Sequence, residues 1–62
     1  MANKIKQYRE RKNITQEELA KMVGVNRTAV ALWELGINDP RADKLVKLSD
    51  TLNCTIDDLL RN

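Results

Sequence analysis

Arg27 and Thr28 are the side chains best suited to hydrogen-bonding chemistry on the surface of this protein. A guanidinium presents N–H donors in one plane and can bond two neighbouring acceptors, while threonine offers a hydroxyl beside a methyl group. Both follow Asn26, a residue type that caps helix N-termini. The exposed amides and the dipole at a helix start also favour phosphate. The pattern therefore predicts recognition at the first turn of a helix.

The residue types that the chain lacks weaken an interpretation as an enzyme. It has no histidine and a single cysteine, Cys54. No nucleophile with a base, no phosphate-cradling glycine loop and no isolated carboxylate couple can be assembled, so we predict no enzyme and no catalytic residue. No zinc ligand set or internal disulfide is available, and no metal or cofactor is expected. Cys54 is predicted to be a small buried hydrophobe, with a redox or intermolecular disulfide role as the alternative.

Two short helices must position Arg27. Thr15 and Glu18 form a capping box for the first of them, and Gly24 ends it because glycine adopts a left-handed conformation without strain. Asn26 then caps the second helix after a turn of about three residues, the length found in helix-turn-helix units. Residues 15–36 are therefore predicted to be two helices that cross closely.

The remaining segments complete a single all-α domain over residues 1–62, with five helices and no strands. Asn3 is predicted to cap the first helix, and Thr55 with Asp58 forms an acidic capping box for the last. Helical spacing places the following residues on the core side: Ile5, Tyr8, Leu19, Ala20, Val23, Val30, Trp33, Ile37, Leu45, Leu48 and Leu52.

Charge is distributed unevenly along the chain. Residues 1–33 hold seven Lys or Arg against three Glu, a net +4, and residues 34–62 hold four against six, a net −2. A basic half favours a polyanion partner, and ordinary solvated helix faces are the alternative explanation. The longest uninterrupted apolar run, residues 29–33, is far below the roughly 20 residues that span a bilayer. We therefore expect no membrane association and a cytoplasmic protein.

From IKQYRE through TQEELAKMVGVNRTAVALWELG to LVKLSDTLNCTIDDLL, the chain resembles the phage-repressor and Cro type of helix-turn-helix domain. The resemblance implies a five-helix, lambda-repressor-like bundle with the helix-turn-helix at about residues 16–35. It also implies a small transcriptional regulator, a repressor, that binds double-stranded DNA as a homodimer. Its operator would be palindromic or pseudopalindromic, with half-sites roughly 34–36 Å apart.

The resemblance also assigns roles to individual residues. Gln16 stands where the family places a glutamine that contacts the DNA backbone and braces the recognition helix, and Arg9 with Glu34 matches a structural ion pair. Arg27, Thr28 and Leu32 stand where base-facing side chains lie. With the outward face of the helix and the loop after it, the predicted DNA-binding set is Gln16, Asn26, Arg27, Thr28, Ala31, Leu32 and Asn38. Leu59 and Leu60 are predicted at the dimer interface, and the alternative is that one of the two belongs wholly to the core.

The chain departs from the family after the recognition helix. Family members often carry phosphate-binding side chains there, whereas this chain has Leu35, Ile37 and Asp39. Polar contacts must then come from the start of the helix, with Lys12 or Lys44 at the periphery. Alternatively, Leu32 and Leu35 form an apolar patch that binds a protein, which would make the domain an interaction module with weakened or lost DNA binding. No small-molecule effector domain is expected.

Overall fold

The computed structural model describes residues 3–61, and this range contains five α-helices and no strand. The helices are α1 (Ile5–Arg11), α2 (Gln16–Val23), α3 (Arg27–Glu34), α4 (Ala42–Leu52) and α5 (Ile56–Leu60). The described residues extend over about 23 × 23 × 20 Å. The all-α, five-helix prediction is therefore confirmed.

Side chains cap three helices at the positions that the sequence indicates. Thr15 Oγ1 accepts from the Glu18 amide at 3.0 Å, and the Glu18 carboxylate accepts from the Thr15 amide at 2.8 Å. Thr55 and Asp58 repeat this capping box on α5, and Asn26 accepts from the Ala29 amide on α3. Each box satisfies two amide donors that a helix start leaves without a backbone partner.

Four described residues take a left-handed conformation and end helices: Asn13, Gly24, Gly36 and Asn53, with φ between 55° and 80°. At Gly36 the Gly36 amide donates to the Trp33 carbonyl, and the Ile37 amide donates to the Leu32 carbonyl. This pair of bonds is a Schellman motif, which satisfies the last carbonyls of α3 and turns the chain away from the helix axis. The end of α3 is therefore fixed by backbone bonds.

All five helices contribute to one core. The buried apolar residues are Ile5, Leu19, Ala20, Val23, Val30, Trp33, Leu48, Leu52 and Leu59. Tyr8 and Leu45 are half-buried. The prediction for Ile37 is wrong, because this side chain is 66% exposed. The helical period stops with α3 at Glu34, and left-handed Gly36 redirects the chain before Ile37 is reached.

The start of α1 is tied to the ends of two other helices. Asn3 Oδ1 accepts from the Ile5 amide at 3.1 Å, although the capping position itself belongs to Lys4. Asn3 Nδ2 donates to the Trp33 carbonyl at 2.7 Å, and the Lys4 amide donates to the Leu59 carbonyl at 2.8 Å. These bonds hold α1 against the ends of α3 and α5.

Cys54 lies in the turn before α5. Its side chain is half-buried and packs against the core, which is less burial than predicted. Burial raises the pKa of the Cys54 thiol, and the nearby Asp58 carboxylate raises it further. Within residues 3–61 no cluster of potential metal ligands is present. None of the helices in this range has the length and apolarity that a bilayer crossing requires.

Candidate nucleic-acid interface

The exposed N-terminal ends of α2 and α3 border a common cleft of about 300 Å³. Gln16 opens α2 and Arg27 opens α3, and both line this cleft. The other lining residues are Arg9, Thr15 and Glu17. The structure therefore brings two residues of the predicted DNA-binding set together, at the N-terminal ends of two helices.

A buried network fixes the position of α3 against α1 and α2. Arg9 Nε donates to Glu34 Oε2 at 2.7 Å, and the Arg9 Nη2 atom donates to Glu34 Oε1 at 3.2 Å. Gln16 Nε2 donates to the same Oε1 atom at 3.0 Å. The carboxylate at the last residue of α3 therefore receives three hydrogen bonds from two other helices.

This network lies mostly out of water. The Arg9 and Glu34 side chains are 11% and 3% exposed, and the Arg9 Nη1 atom also donates to the Ile14 carbonyl at 2.8 Å. Hydrogen bonding to Glu34 raises the pKa of Arg9 above the ordinary arginine value, against the opposing effect of burial. Among the described residues, every buried side-chain nitrogen or oxygen has a partner. The buried nitrogen and oxygen atoms of this ion pair therefore all have hydrogen-bond partners.

Gln16 can serve two partners at once. Its side-chain nitrogen carries two N–H groups, and the bond to Glu34 uses one of them. The second is then available to a phosphate oxygen from a side chain whose orientation is already fixed. The hydrogen bond to Glu34 agrees with the bracing role predicted for Gln16, and its contact with a DNA backbone stays a prediction.

The outward side of α3 changes character along its length. Arg27 and Thr28 are exposed in the first turn, and Ala31 and Leu32 are half-buried in the second. Leu35, directly after the helix, is 71% exposed. Asn26 is exposed too, but its side-chain oxygen is used for capping, which leaves its nitrogen to face a ligand.

Two flanking positions of the prediction, Asn38 and Lys44, lie in the loop after α3 and on α4. Asn38 is exposed in the loop after α3, where its backbone amide donates to the Leu32 carbonyl at 3.4 Å. Lys44 Nζ donates to the Val23 carbonyl at 3.3 Å, where its positive charge lies at the negative end of α2. The sequence signal for this bond is weak because the two residues are far apart in the chain.

The two leucines proposed for a dimer interface have different environments. Leu59 has no exposed surface and belongs to the core, which is the alternative that the sequence leaves open for one of the two leucines. Leu60 is 38% exposed. Only Leu60 of this pair is available to a second molecule.

Comparisons with known proteins agree with this geometry. Residues 5–59 match the helix-turn-helix family. The chain belongs to this family. It is 44% identical over 57 residues to the HTH-type transcriptional activator BcrR of Enterococcus faecalis, covering 92% of this chain and 28% of that protein. It is 38% identical over 61 residues to repressor protein C2 of Salmonella phage P22, covering 98% of this chain and 28% of that protein.

A third relative is closer in length. An uncharacterized HTH-type transcriptional regulator of Archaeoglobus fulgidus is 39% identical over 59 residues, covering 95% of this chain and 83% of that protein. Among solved structures, the crystal structure of the P22 c2 repressor with synthetic operator 9T superimposes with a TM-score of 0.90 at 38% identity. That match covers 94% of this chain and 88% of the other. The predicted resemblance to phage-repressor and Cro-type domains is confirmed.

Proposed function

We propose that this protein is a sequence-specific DNA-binding transcriptional regulator that inserts α3 into the major groove. The observation that carries the proposal is that Gln16 and Arg27 line one cleft, with the Gln16 side chain hydrogen-bonded to Glu34. An arrangement of this kind grips a phosphate with one helix while it aims the other at the bases. The operator complex of the similar P22 c2 repressor supports this interpretation.

The dimensions of α3 suit this role. Eight residues make a helix about 12 Å long, which is comparable to the roughly 12 Å width of the major groove. Arg27 leads the helix and is assigned to base reading through two parallel hydrogen bonds to guanine O6 and N7. Gln16 is assigned to a phosphate, while Arg9 and Glu34 are positioning residues that set the angle of α3.

The proposal includes a homodimer on a palindromic or pseudopalindromic operator. One copy is only about 23 Å across, and half-sites of this class lie roughly 34–36 Å apart. Two adjacent copies, each with α3 on its outer part, would span that distance. Leu60 is the exposed apolar residue assigned to the contact. Repression, the activity in the name of the P22 relative, and a cytoplasmic location complete the proposal.

The first test is a selection of bound duplexes from a random library, followed by Arg27→Ala on the selected sequence. Loss of a bidentate guanine contact corresponds to about 1–3 kcal/mol. We expect a 5- to 150-fold loss of affinity, measured by fluorescence anisotropy at fixed salt. Arg61→Ala is the matched control. Arg61 is exposed just after α5, and its substitution removes the same charge as Arg27→Ala.

The control and the salt dependence separate the possible outcomes. If Arg27 contacts a base, the variant keeps the salt slope of the wild-type protein, and if it contacts a phosphate, the slope falls by about 1. Equal losses for Arg27→Ala and Arg61→Ala would contradict the assignment. A protein for which no duplex is selected at low salt would not be a DNA-binding regulator.

Leu60→Asp tests the dimer. A charge buried at an apolar contact is unfavourable, so we expect weaker self-association in sedimentation velocity and a smaller gain in affinity from a second half-site. Val46→Asp is the control because Val46 is a similarly exposed apolar residue, 49% exposed, on α4. Leu60 does not lie at the interface if Leu60→Asp keeps native helicity and sediments like the wild-type protein. The variant would then also keep the wild-type gain in affinity from a second half-site.

A protein-binding module is the second candidate, and the comparisons favour the DNA-binding regulator over it. Leu35 and Ile37 are 71% and 66% exposed and lie close together in the chain after α3. An apolar contact with a protein responds little to salt, whereas DNA binding weakens steeply as counterions compete for the phosphates. The salt titration of the selected duplex therefore distinguishes the two candidates.

A further inference from the structure

The outward side of α3 carries a row of methyl groups. Thr28, Ala31, Leu32 and Leu35, which we call the methyl stripe, follow one another at the spacing of residues on a single helix side. Thr28 and Leu35 are exposed, and Ala31 and Leu32 are half-buried. Of these side chains, only that of Thr28 has a hydrogen-bonding group.

The methyl stripe is not part of the core. Val30 and Trp33, on the opposite side of α3, fill the core instead. Helix α3 is also held against rotation, because Glu34 is bonded to Arg9 and Gln16 and the Schellman motif fixes the helix end. The methyl stripe therefore stays on the side that the proposed function turns towards DNA.

The chemistry of the major groove limits what this surface can recognise. Guanine, adenine and cytosine present hydrogen-bond donors and acceptors there, and only thymine presents a methyl group. A leucine placed against the polar edges would displace their water and offer no hydrogen bond in return. Against a thymine methyl group, the same leucine buries apolar surface from both partners.

We infer that the methyl stripe reads thymine C5-methyl groups, with Leu32 as the specificity-determining residue, and this inference rests on the proposed function. Leu32 follows Arg27 by five positions, about 7.5 Å along the helix axis. Leu32 and Arg27 therefore lie over different parts of the half-site, and the methyl-read thymine belongs to a different base pair from the one that Arg27 contacts.

The test changes the DNA before it changes the protein. In the duplex selected by the wild-type protein, each thymine is replaced in turn by uracil, which removes the methyl group and keeps every hydrogen-bonding group. We expect about a fourfold loss of affinity for each methyl group that the stripe contacts. Leu32→Ala binds the thymine and uracil duplexes equally at the position that Leu32 reads, while Val46→Ala, on α4, keeps the full preference.

Leu32→Gln is a variant that should gain a preference for a different base. A glutamine can bond adenine N6 and N7 with both ends of its amide. We expect this variant to lose the thymine preference and to favour adenine at the same position. Circular dichroism of each variant establishes that α3 is intact, and the uracil series with wild-type protein needs no variant.

The outcomes separate the inference from the proposed function. Selection of no duplex contradicts the proposed function itself. A selected duplex in which uracil equals thymine at every position leaves DNA binding intact and overturns the inference. Variants at Leu32 and Leu35 that bind the selected duplex like the wild type show that the stripe does not touch DNA, the result expected if it binds a protein.

Discussion

Two arginine–carboxylate pairs among the described residues differ more in their surroundings than in their lengths. Arg9 and Glu34 are joined at 2.7 Å with side chains 11% and 3% exposed, whereas Arg61 and Asp57 are joined at 2.9 Å with side chains 68% and 74% exposed. Water competes for the second pair and hardly reaches the first. The distance within each pair therefore does not separate the two pairs, whereas the exposure of their side chains does.

The two pairs also differ in the parts of the protein that they connect. The exposed pair links residues four apart within and just after α5. The buried pair links α1 to the end of α3, and Gln16 of α2 joins it. The buried pair therefore orients the helix proposed to read DNA. The exposed pair supports only a local helix end.

Glu34→Ala is the largest expected perturbation. Removing one member of a buried pair leaves the other charged and unpaired, at about 3–5 kcal/mol. A 62-residue domain has a total stability of roughly 3–9 kcal/mol. We therefore expect loss of most of the cooperative transition in urea, followed by circular dichroism. Asp57→Ala should change stability by no more than about 1 kcal/mol.

Similar losses for the Glu34 and Asp57 variants would show that exposure does not separate the two pairs. A double variant, Arg9→Met with Glu34→Leu, gives a sharper test because it replaces both buried charges. Apolar replacement of a buried pair is often neutral in stability, so this variant should recover most of the loss. Its DNA affinity should stay reduced because Gln16 has lost the carboxylate that orients it.

The capping boxes give the smallest expected effect. Bonds from the Thr15 amide and hydroxyl lower the pKa of Glu18 below the ordinary glutamate value. A lowered folded-state pKa adds stability above the unfolded-state pKa of about 4.3 and loses it as the pH falls through the folded value. Glu18→Gln keeps an acceptor without the charge, so its stability should approach that of the wild type over this acidic range.

Denaturation curves between neutral pH and about pH 3 measure this convergence around the carboxylate pKa range. Asp58→Asn is the matched variant on α5, because the same bonds from Thr55 lower the pKa of Asp58. A stability difference for Glu18→Gln that stays constant with pH would show that the charge of Glu18 does not contribute.

The helix ends of this protein were predictable because their signals are local. A capping box spans four residues, and the left-handed positions fall on asparagine or glycine. The error at Ile37 has a local cause too. The prediction continues the helical period past Gly36. The left-handed conformation of this glycine instead ends α3 and exposes the next side chain.

Contacts between distant residues were less predictable. The bond from Lys44 to the end of α2 joins residues 21 positions apart, and nothing in a surface lysine signals it. Leu59 and Leu60 share one residue type and adjacent positions, yet Leu59 is buried and Leu60 is 38% exposed. Only the packing of α5 against the core decides between them. The Arg9 and Glu34 pair came from the family resemblance, since spacing alone does not join residues so far apart.

Amide chemical-shift mapping with the selected duplex tests the central claim most directly. We expect the earliest and largest shifts at Gln16 and along residues 26–32, with smaller changes through the middle of α4. Arg27→Ala should reduce these shifts at equal duplex concentration, and Arg61→Ala should not. Shifts concentrated in α4 and α5, with residues 26–32 unchanged, would contradict the claim that α3 reads DNA.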